Sequence, residues 1–369
     1  MESCRYSVLL HALKLDEGPD HHLAGNFHNT ERLAAALSKR EELKLTVLCD
    51  EYTQEPLARH LAPGQLCFRP LHGGHVIAAD RAVARAIAEL RPDIYHRPSG
   101  QLPFVFPKVR AVATIADLNF TVLPTPLVRR IYKELSYRWT VRRADWITCI
   151  SQFTGDDVVR RLRADPGKLT VIHHGTNELP EPDWSLAETC GEKYWLTFGH
   201  QRHKNVEACL QALAKRPGRE ILVIVGTSPY IEDTLRPMAR AGGYLNRVKF
   251  VGKVSSPALH GLYRRALGLL FVSKYEGFGL PLLEAMQADC PVVCSNVCSI
   301  PEVVGDAAIL LAPHDVSGIV TAMSSLVGDS GRRDALVARG RTQAARFSWT
   351  RAADETCVGY RSLMKSVSN

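Results

Sequence analysis

No run of eighteen apolar residues occurs anywhere in this 369-residue chain, so no membrane-spanning helix is expected. The opening stretch, Met1 to Gly18, passes from a short apolar run straight into charge. The long apolar stretch and small-residue cleavage site of a secretory leader are missing, and none is expected. There is no P-loop, and no G-x-G-x-x-G follows the first apolar run, which argues against an ATPase or an NAD enzyme. Zinc spacings such as C-x2-C are absent, and no D-x-D segment stands in a metal-binding setting. The ten cysteines form no secreted-type framework, and Cys49 and Cys149 sit inside apolar runs. Cys290, Cys294 and Cys298 recur every fourth residue but bracket a strand-like run, so they read as buried thiols and not as a metal site. Reduced thiols in a cytoplasmic protein are the plain expectation. Low-complexity segments and short internal repeats are also lacking.

What is present is enough for two domains of ordinary size. Apolar residues make up 46% and charged residues 23%, so each half can bury a core. The net charge is +8 and is unevenly placed: Val105 to Thr170 holds twelve Lys and Arg against six Asp and Glu. Much of the excess lies between Pro126 and Trp146. There, basic side chains alternate with Leu127, Ile131, Tyr132, Leu135, Trp139 and Val141 at near-helical spacing. The plain reading is a solvated helix with a buried apolar stripe. The sharper one is a patch for anionic lipid or a phosphorylated acceptor. Nucleic acid is not expected, because no recognition module accompanies the charge.

Short apolar runs alternate with helical stretches through the first half. Strands are expected at Arg5–Ala12, Lys44–Asp50, Pro92–Arg97, Ala111–Asp117, Asp145–Ser151 and Lys168–Gly175. Asn29 can cap a helix through Glu31 to Arg40, and a second helix covers Arg81 to Leu90. Asn177 to Glu192 carries two prolines and mixed polar residues and reads as a linker. The rhythm then restarts with YWLTFG, ILVIVG, RVKFVG, GLLFVS, PVVCS and AILLA, with helices between. This predicts an α/β chain of two doubly wound, Rossmann-like domains facing a cleft. The expected boundaries are 1–178, a linker at 179–191, 192–346, and a C-terminal helix at 347–369 packing back on the first domain.

The stretch richest in chemistry is FVSKYEGFGLPLLEAM, Phe271 to Met286. A strand ends, a loop carries Glu276, Gly277 and Gly279, and Pro281 stands in the first turn of a helix. Two glycines let backbone N–H groups approach a ligand, and a helix N-terminus favours an anion there. Glu276 and Glu284 flank that position. A nucleotide sugar offers hydroxyls at both ends of a diphosphate, so one carboxylate can take the sugar and the other the ribose. In FGHQRHKN, Gly199 opens a turn, and Arg202 and Lys204 stand just before a helix near Asn205, where cations can neutralise a leaving diphosphate.

Phe271 to Met286 resembles the E-x7-E signature of retaining glycosyltransferases of the GT-B fold, in particular glycosyltransferase family 4. The likeness runs from about Ala111 to Tyr360. TIADLNF with Pro124 is similar to the family's HDL-and-proline segment, and ADWITCISQFTGDDVVRRL to its serine-bearing strand and helix. KLTVIHHGTN resembles the interdomain strand, and FGHQRHKN the donor-phosphate segment. RVKFVGKVSSPALHGLYRRA, CSIPEVVGDAAILLAPHD and FSWTRAAD match later blocks in order. Before Ala111 only the rhythm agrees.

The resemblance implies that Glu276 faces the donor sugar and Glu284 the ribose. It implies that Lys204 and Arg202 act on the diphosphate, Lys204 standing one position short of the family's usual offset. Asp117 joins the catalytic set on the same basis. Gly277, Phe278, Gly279, Leu280 and Gly199 would supply donor contacts, and Val251, Gly252 and Val254 fall where the base pocket forms. Ser299, Pro301 and Glu302 shape the following loop, as a turn and helix cap or in direct contact. Two departures stand out: Ala116 occupies the place of the family's His, and the glycine-rich first loop is missing. In its place lie Gly18 and Gly25 with His21, His22, His28 and Asn29.

The expectation is therefore a metal-independent, retaining hexosyltransferase without cofactor, using a GDP- or UDP-sugar. Mannose is favoured mildly over glucose, because the HDL-plus-proline and PEVVGDAA style resembles mannosyltransferases. The acceptor is a carbohydrate, lipid-linked or polysaccharide, and the location cytoplasmic with peripheral contact to an anionic membrane. The alternatives are a catalytically silent nucleotide-sugar binding protein, supported by Ala116, and a sugar-nucleotide epimerase of the same fold.

Overall fold

The computed structural model describes residues 6–13, 25–71, 76–98 and 100–365, which form two compact units. The first comprises residues 1–175 and 348–369, the second residues 176–347. The sheet of the first unit holds seven strands: β1 (Tyr6–His11), β2 (Leu43–Cys49), β3 (Leu66–Phe68), β4 (Ile94–Arg97), β5 (Arg110–Ile115), β6 (Trp146–Cys149) and β7 (Leu169–Val171). They are ordered β3-β2-β1-β4-β5-β6-β7, and every pair is parallel. Helices on both faces explain why β1 and β6 are buried at consecutive positions and not alternately. Leu9, Leu10 and Leu48 are fully buried, each worth about 1.5–3 kcal/mol of burial.

The helix Trp349–Lys365 belongs to this first unit. Tyr360 is fully buried on it, and its hydroxyl lies 2.6 Å from His96 Nδ1; His96 Nε2 lies 2.9 Å from Thr114 Oγ1. Burial drives the His96 pKa down to about 3, so the ring is neutral and works as a hydrogen-bonding link between helix and sheet. The first helix runs Gly25–Leu37, so Asn29 lies inside it and does not cap it. β3 and the short helix Gln54–Ala58 lie between expected elements, too brief for a periodic signal.

In the second unit, β8 (Tyr194–Phe198), β9 (Ile221–Val225), β10 (Val248–Gly252), β11 (Gly268–Phe271), β12 (Val292–Ser295) and β13 (Ile309–Leu311) form another parallel sheet. The order is β10-β9-β8-β11-β12-β13. The chain therefore starts in the middle, winds outward to β10, and returns beside β8 as β11. That reversal makes the β8–β11 boundary the topological switch point, where loops diverge and ligands bind in open sheets. Local signals set the helix starts: Ser255 Oγ accepts from Ala258 N and Asp315 Oδ1 from Gly318 N. Residues 179–191, read as a linker, are packed onto this unit instead. Asp183 N donates to Pro257 O at 2.9 Å, His260 Nδ1 lies 2.6 Å from Pro180 O, and the short helix Ser185–Thr189 buries Ala187.

Candidate active site

Two loops meet where β8 and β11 end. After β8 the chain turns through Gly199, where any Cβ would stand 2.6 Å from Ile224 Cγ2. Gly199 is thus explained by close packing against β9. The turn Arg202–Lys204 ends at Asn205, held at φ +58°, whose amide donates to the carbonyls of Val272 (3.0 Å) and Pro313 (2.7 Å). Lys274 N donates to His203 O at 2.7 Å. These bonds tie the first loop to the second, so Lys204 is aimed by the backbone just after β11.

Lys204 reaches across the switch point. Its Nζ lies 2.7 Å from Glu276 Oε1 and 4.9 Å from the centre of the Phe271 ring. Both side chains are largely withdrawn from water, at 9% and 11% exposure. A buried charge is tolerated only when paired, and here each group is the other's partner. Around them His200 and His203 are both held neutral: burial, then the Lys204 charge, brings His200 down to about 4 and lowers His203. The positive charge here rests on lysine, and the histidines add none at neutral pH.

The Glu276 loop is braced from beneath. Ser299 Oγ lies 2.9 Å from Glu276 O and 3.1 Å from Phe278 O, so its one proton is shared between those carbonyls. Ser295 Oγ donates to Ser273 O at 2.6 Å. Phe278 is buried edge-on to Phe347, and Gly279 adopts φ +104°, a conformation closed to other residues, with Leu282 Cδ1 at 2.8 Å from an added Cβ. The helix Leu280–Gln287 starts from that glycine with Pro281 in its first turn. Glu284 lies farther along it, half-buried, and accepts a 3.2 Å hydrogen bond from Tyr263 Oη. Burial raises its pKa, while the Tyr263 hydroxyl acts in the opposite sense.

The structure brings together Lys204, Glu276, Gly277, Phe278 and Gly279, with Leu280 opening the helix. It does not bring Arg202 to the pair: that side chain is exposed, lies 3.3 Å from Thr234 Oγ1 and stacks over Tyr230. Val251 and Gly252 end the edge strand β10, two strands from β8, with Val254 just beyond. In the first unit Asp117 follows β5, and its Oδ1 accepts from Asn119 N at 2.9 Å, a turn-forming bond. Ala116 offers its carbonyl to Thr154 Oγ1. His21, His22 and Gly18 lie outside the described residues; His28 is on the first helix, 3.2 Å from Glu31. Two functional contacts have no local signal in the sequence: the Tyr263 hydroxyl on Glu284, and the Asn205 amide that locks the lysine turn. Among the described residues all cysteines are free, and no group of three or more His, Cys, Asp or Glu is arranged to hold a metal. No helix among them is long and apolar enough to cross a membrane.

Two Rossmann-like units in one chain have the architecture of a GT-B glycosyltransferase, and the family models agree. The model for glycosyl transferases group 1 matches residues 185–343, and that for glycosyltransferase family 4 matches residues 29–178. The chain is 32% identical over 298 residues to O-antigen chain mannosyltransferase B of Escherichia coli, covering 77% of this chain and 78% of that protein. It is 30% identical over 231 residues to glycogen synthase of Mycobacterium tuberculosis, across 60% of this chain and 55% of the relative. Sucrose-phosphate synthase from Thermosynechococcus elongatus superposes with a TM-score of 0.79 at 18% identity, over 98% of this chain and all of that one. This chain belongs to the group 1, family 4 type glycosyltransferases.

Proposed function

We propose that the chain transfers a hexose, mannose ahead of glucose, from a nucleoside diphosphate to an acceptor hydroxyl, with retention of anomeric configuration. The observation that carries this reading is the Lys204–Glu276 pair beside the Gly279 helix N-terminus. Each partner has one role in a nucleotide-sugar complex. Lys204 exchanges the carboxylate for a phosphate oxygen, and Glu276, released, accepts hydroxyls of the sugar. Glu284 takes the ribose. As the sugar–phosphate bond breaks, its electron pair leaves with the diphosphate, where Lys204 and the helix N-terminus offset the growing charge. The acceptor oxygen bonds the anomeric carbon from the same face, and its proton passes to the departing phosphate oxygen. Arg202 contributes by turning from Thr234 toward the phosphates. The charge is met by cations and backbone N–H groups, without a cofactor.

Mannose is supported by the PEVVGDAA and HDL-like segments and by the likeness to the O-antigen mannosyltransferase. Glucose follows from the likeness to glycogen synthase. The acceptor in this reading is lipid-linked or polysaccharide. Ala116 favours one other reading, a silent nucleotide-sugar binder, because its methyl group cannot make the polar contact a histidine would. Incubation with a panel of GDP- and UDP-hexoses tests both. Release of nucleoside diphosphate, fastest from GDP-mannose, supports transfer; tight binding with no turnover of any donor, in the presence of oligosaccharide and lipid-linked acceptors, favours the silent reading.

A further inference from the structure

The helix Leu127–Arg143 inverts the usual amphipathic arrangement. Its core-facing side is built from Ser136, Tyr137, Thr140 and Val141, all buried. Its outward side carries large apolar residues that the sequence pattern assigns to a buried stripe, Leu127 at 71% exposure, Ile131 at 50% and Leu135 at 61%, together with Val128 at 81%. Tyr132 and Trp139 continue this side, and Phe104 stacks on Trp139 with ring centres 6.2 Å apart. Val105, next to Phe104, is also exposed. Trp139 is anchored there by its Nε1–H, which donates to Pro103 O at 3.1 Å. The result is one contiguous apolar surface of a kind that folded monomers rarely leave open to water.

We propose that this surface, the outward face of Leu127–Arg143 continued by Phe104 and Val105, seats on the anionic headgroup face of a lipid bilayer. The charges select that occupant. Arg129, Arg130 and Arg142 are exposed on the same helix. Its one carboxylate, Glu134, is neutralised by Arg138 at 2.9 Å. A second copy of this face would set arginines against arginines, whereas an anionic bilayer offers acyl chains and negative charge side by side. Leucine, valine and isoleucine enter the acyl boundary, Tyr132 and Trp139 sit at headgroup level, and the arginines meet phosphates. The inference stands apart from the donor site and does not depend on it.

Co-sedimentation with vesicles of phosphatidylcholine plus phosphatidylglycerol, and of phosphatidylcholine alone, tests it. The full chain should bind the anionic vesicles and leave the neutral ones, with binding fading as salt shortens the screening length to about 8 Å at physiological ionic strength. Arg129→Ala with Arg130→Ala should weaken partitioning about 25-fold, some fivefold for each cation. Leu127→Ser with Val128→Ser and Ile131→Ser should abolish it even at low salt, while melting temperature and nucleotide affinity stay unchanged. Wild-type protein that ignores anionic vesicles at low salt overturns the proposal, as does binding that the serine variant retains. A stable dimer without lipid, dissolved by the same serine changes, also overturns it by making a second copy the occupant.

Discussion

The Lys204–Glu276 pair makes a prediction about the unliganded protein that needs no substrate. Both groups are about nine-tenths withdrawn from water and 2.7 Å apart, so each is the other's main compensation for lost hydration. Lys204→Met leaves a buried carboxylate alone, and Glu276→Gln leaves a buried ammonium alone. Removing one partner of such a pair costs about 3–5 kcal/mol. The residual exposure and the Phe271 ring beneath Lys204 place this pair at the low end, about 3 kcal/mol for each single change. For a unit the size of residues 176–347, that lowers the melting temperature by about 6–12 °C. The double variant has no stranded charge, so its loss should fall well short of the sum, with a coupling of about 1.5–3 kcal/mol. Calorimetric melting of the four proteins measures this. Additive losses, with coupling under about 0.5 kcal/mol, would refute the reasoning and mean that the pair is not formed in solution.

The two glutamates should fail differently. Glu276→Gln should cut turnover while GDP or UDP still binds, and Glu284→Ala should weaken the nucleotide itself; steady-state kinetics with calorimetry separates these, and swapped phenotypes would reverse the assignment. Burial holds Glu284 above the usual glutamate range, so nucleotide affinity should fall as pH drops through that raised value. Tyr263→Phe removes the hydroxyl that opposes the rise, so the fall should begin at higher pH; a pH–affinity profile identical to wild type would remove Tyr263 from the site. Acid should unfold the first unit through His11, His96 and His174, all lowered by burial, the last two to about 3. Below the ordinary histidine range the unfolded chain takes up protons that the folded one refuses, so stability is lost from about pH 6.5 downward. The slope should approach about 4 kcal/mol per pH unit for the three together. Urea midpoints across pH 6.5 to 5 measure it, and His96→Asn should cut it by about a third.

Much of the architecture is legible in the residues. Strands such as Ile221–Val225 are apolar throughout because both faces of a parallel sheet are covered, and that pattern reads directly. Glu276, Gly279 and Lys204 are readable because each sits beside a strand end and a helix start. What escapes is decided by tertiary contact. Nothing local says that Leu127, Ile131 and Leu135 face outward, since periodicity gives a stripe but not its direction. The bonds from Tyr263 to Glu284 and from Ser299 to the Glu276 loop span 21 and 23 residues and arise from the winding of the sheet. The sequence puts Lys204 ahead of Arg202, and the tight turn there, which points Arg202 outward and Lys204 inward, gives the physical reason.

The most direct test of the donor site is calorimetric titration of GDP and UDP into wild type and Lys204→Ala. Wild type should bind at least one of them, and the variant should lose about ten- to a hundredfold in affinity, because one charge-assisted contact is worth about 1.5–3 kcal/mol. An unchanged dissociation constant in a folded variant would contradict the account, because the diphosphate would then bind away from the Lys204–Glu276 pair.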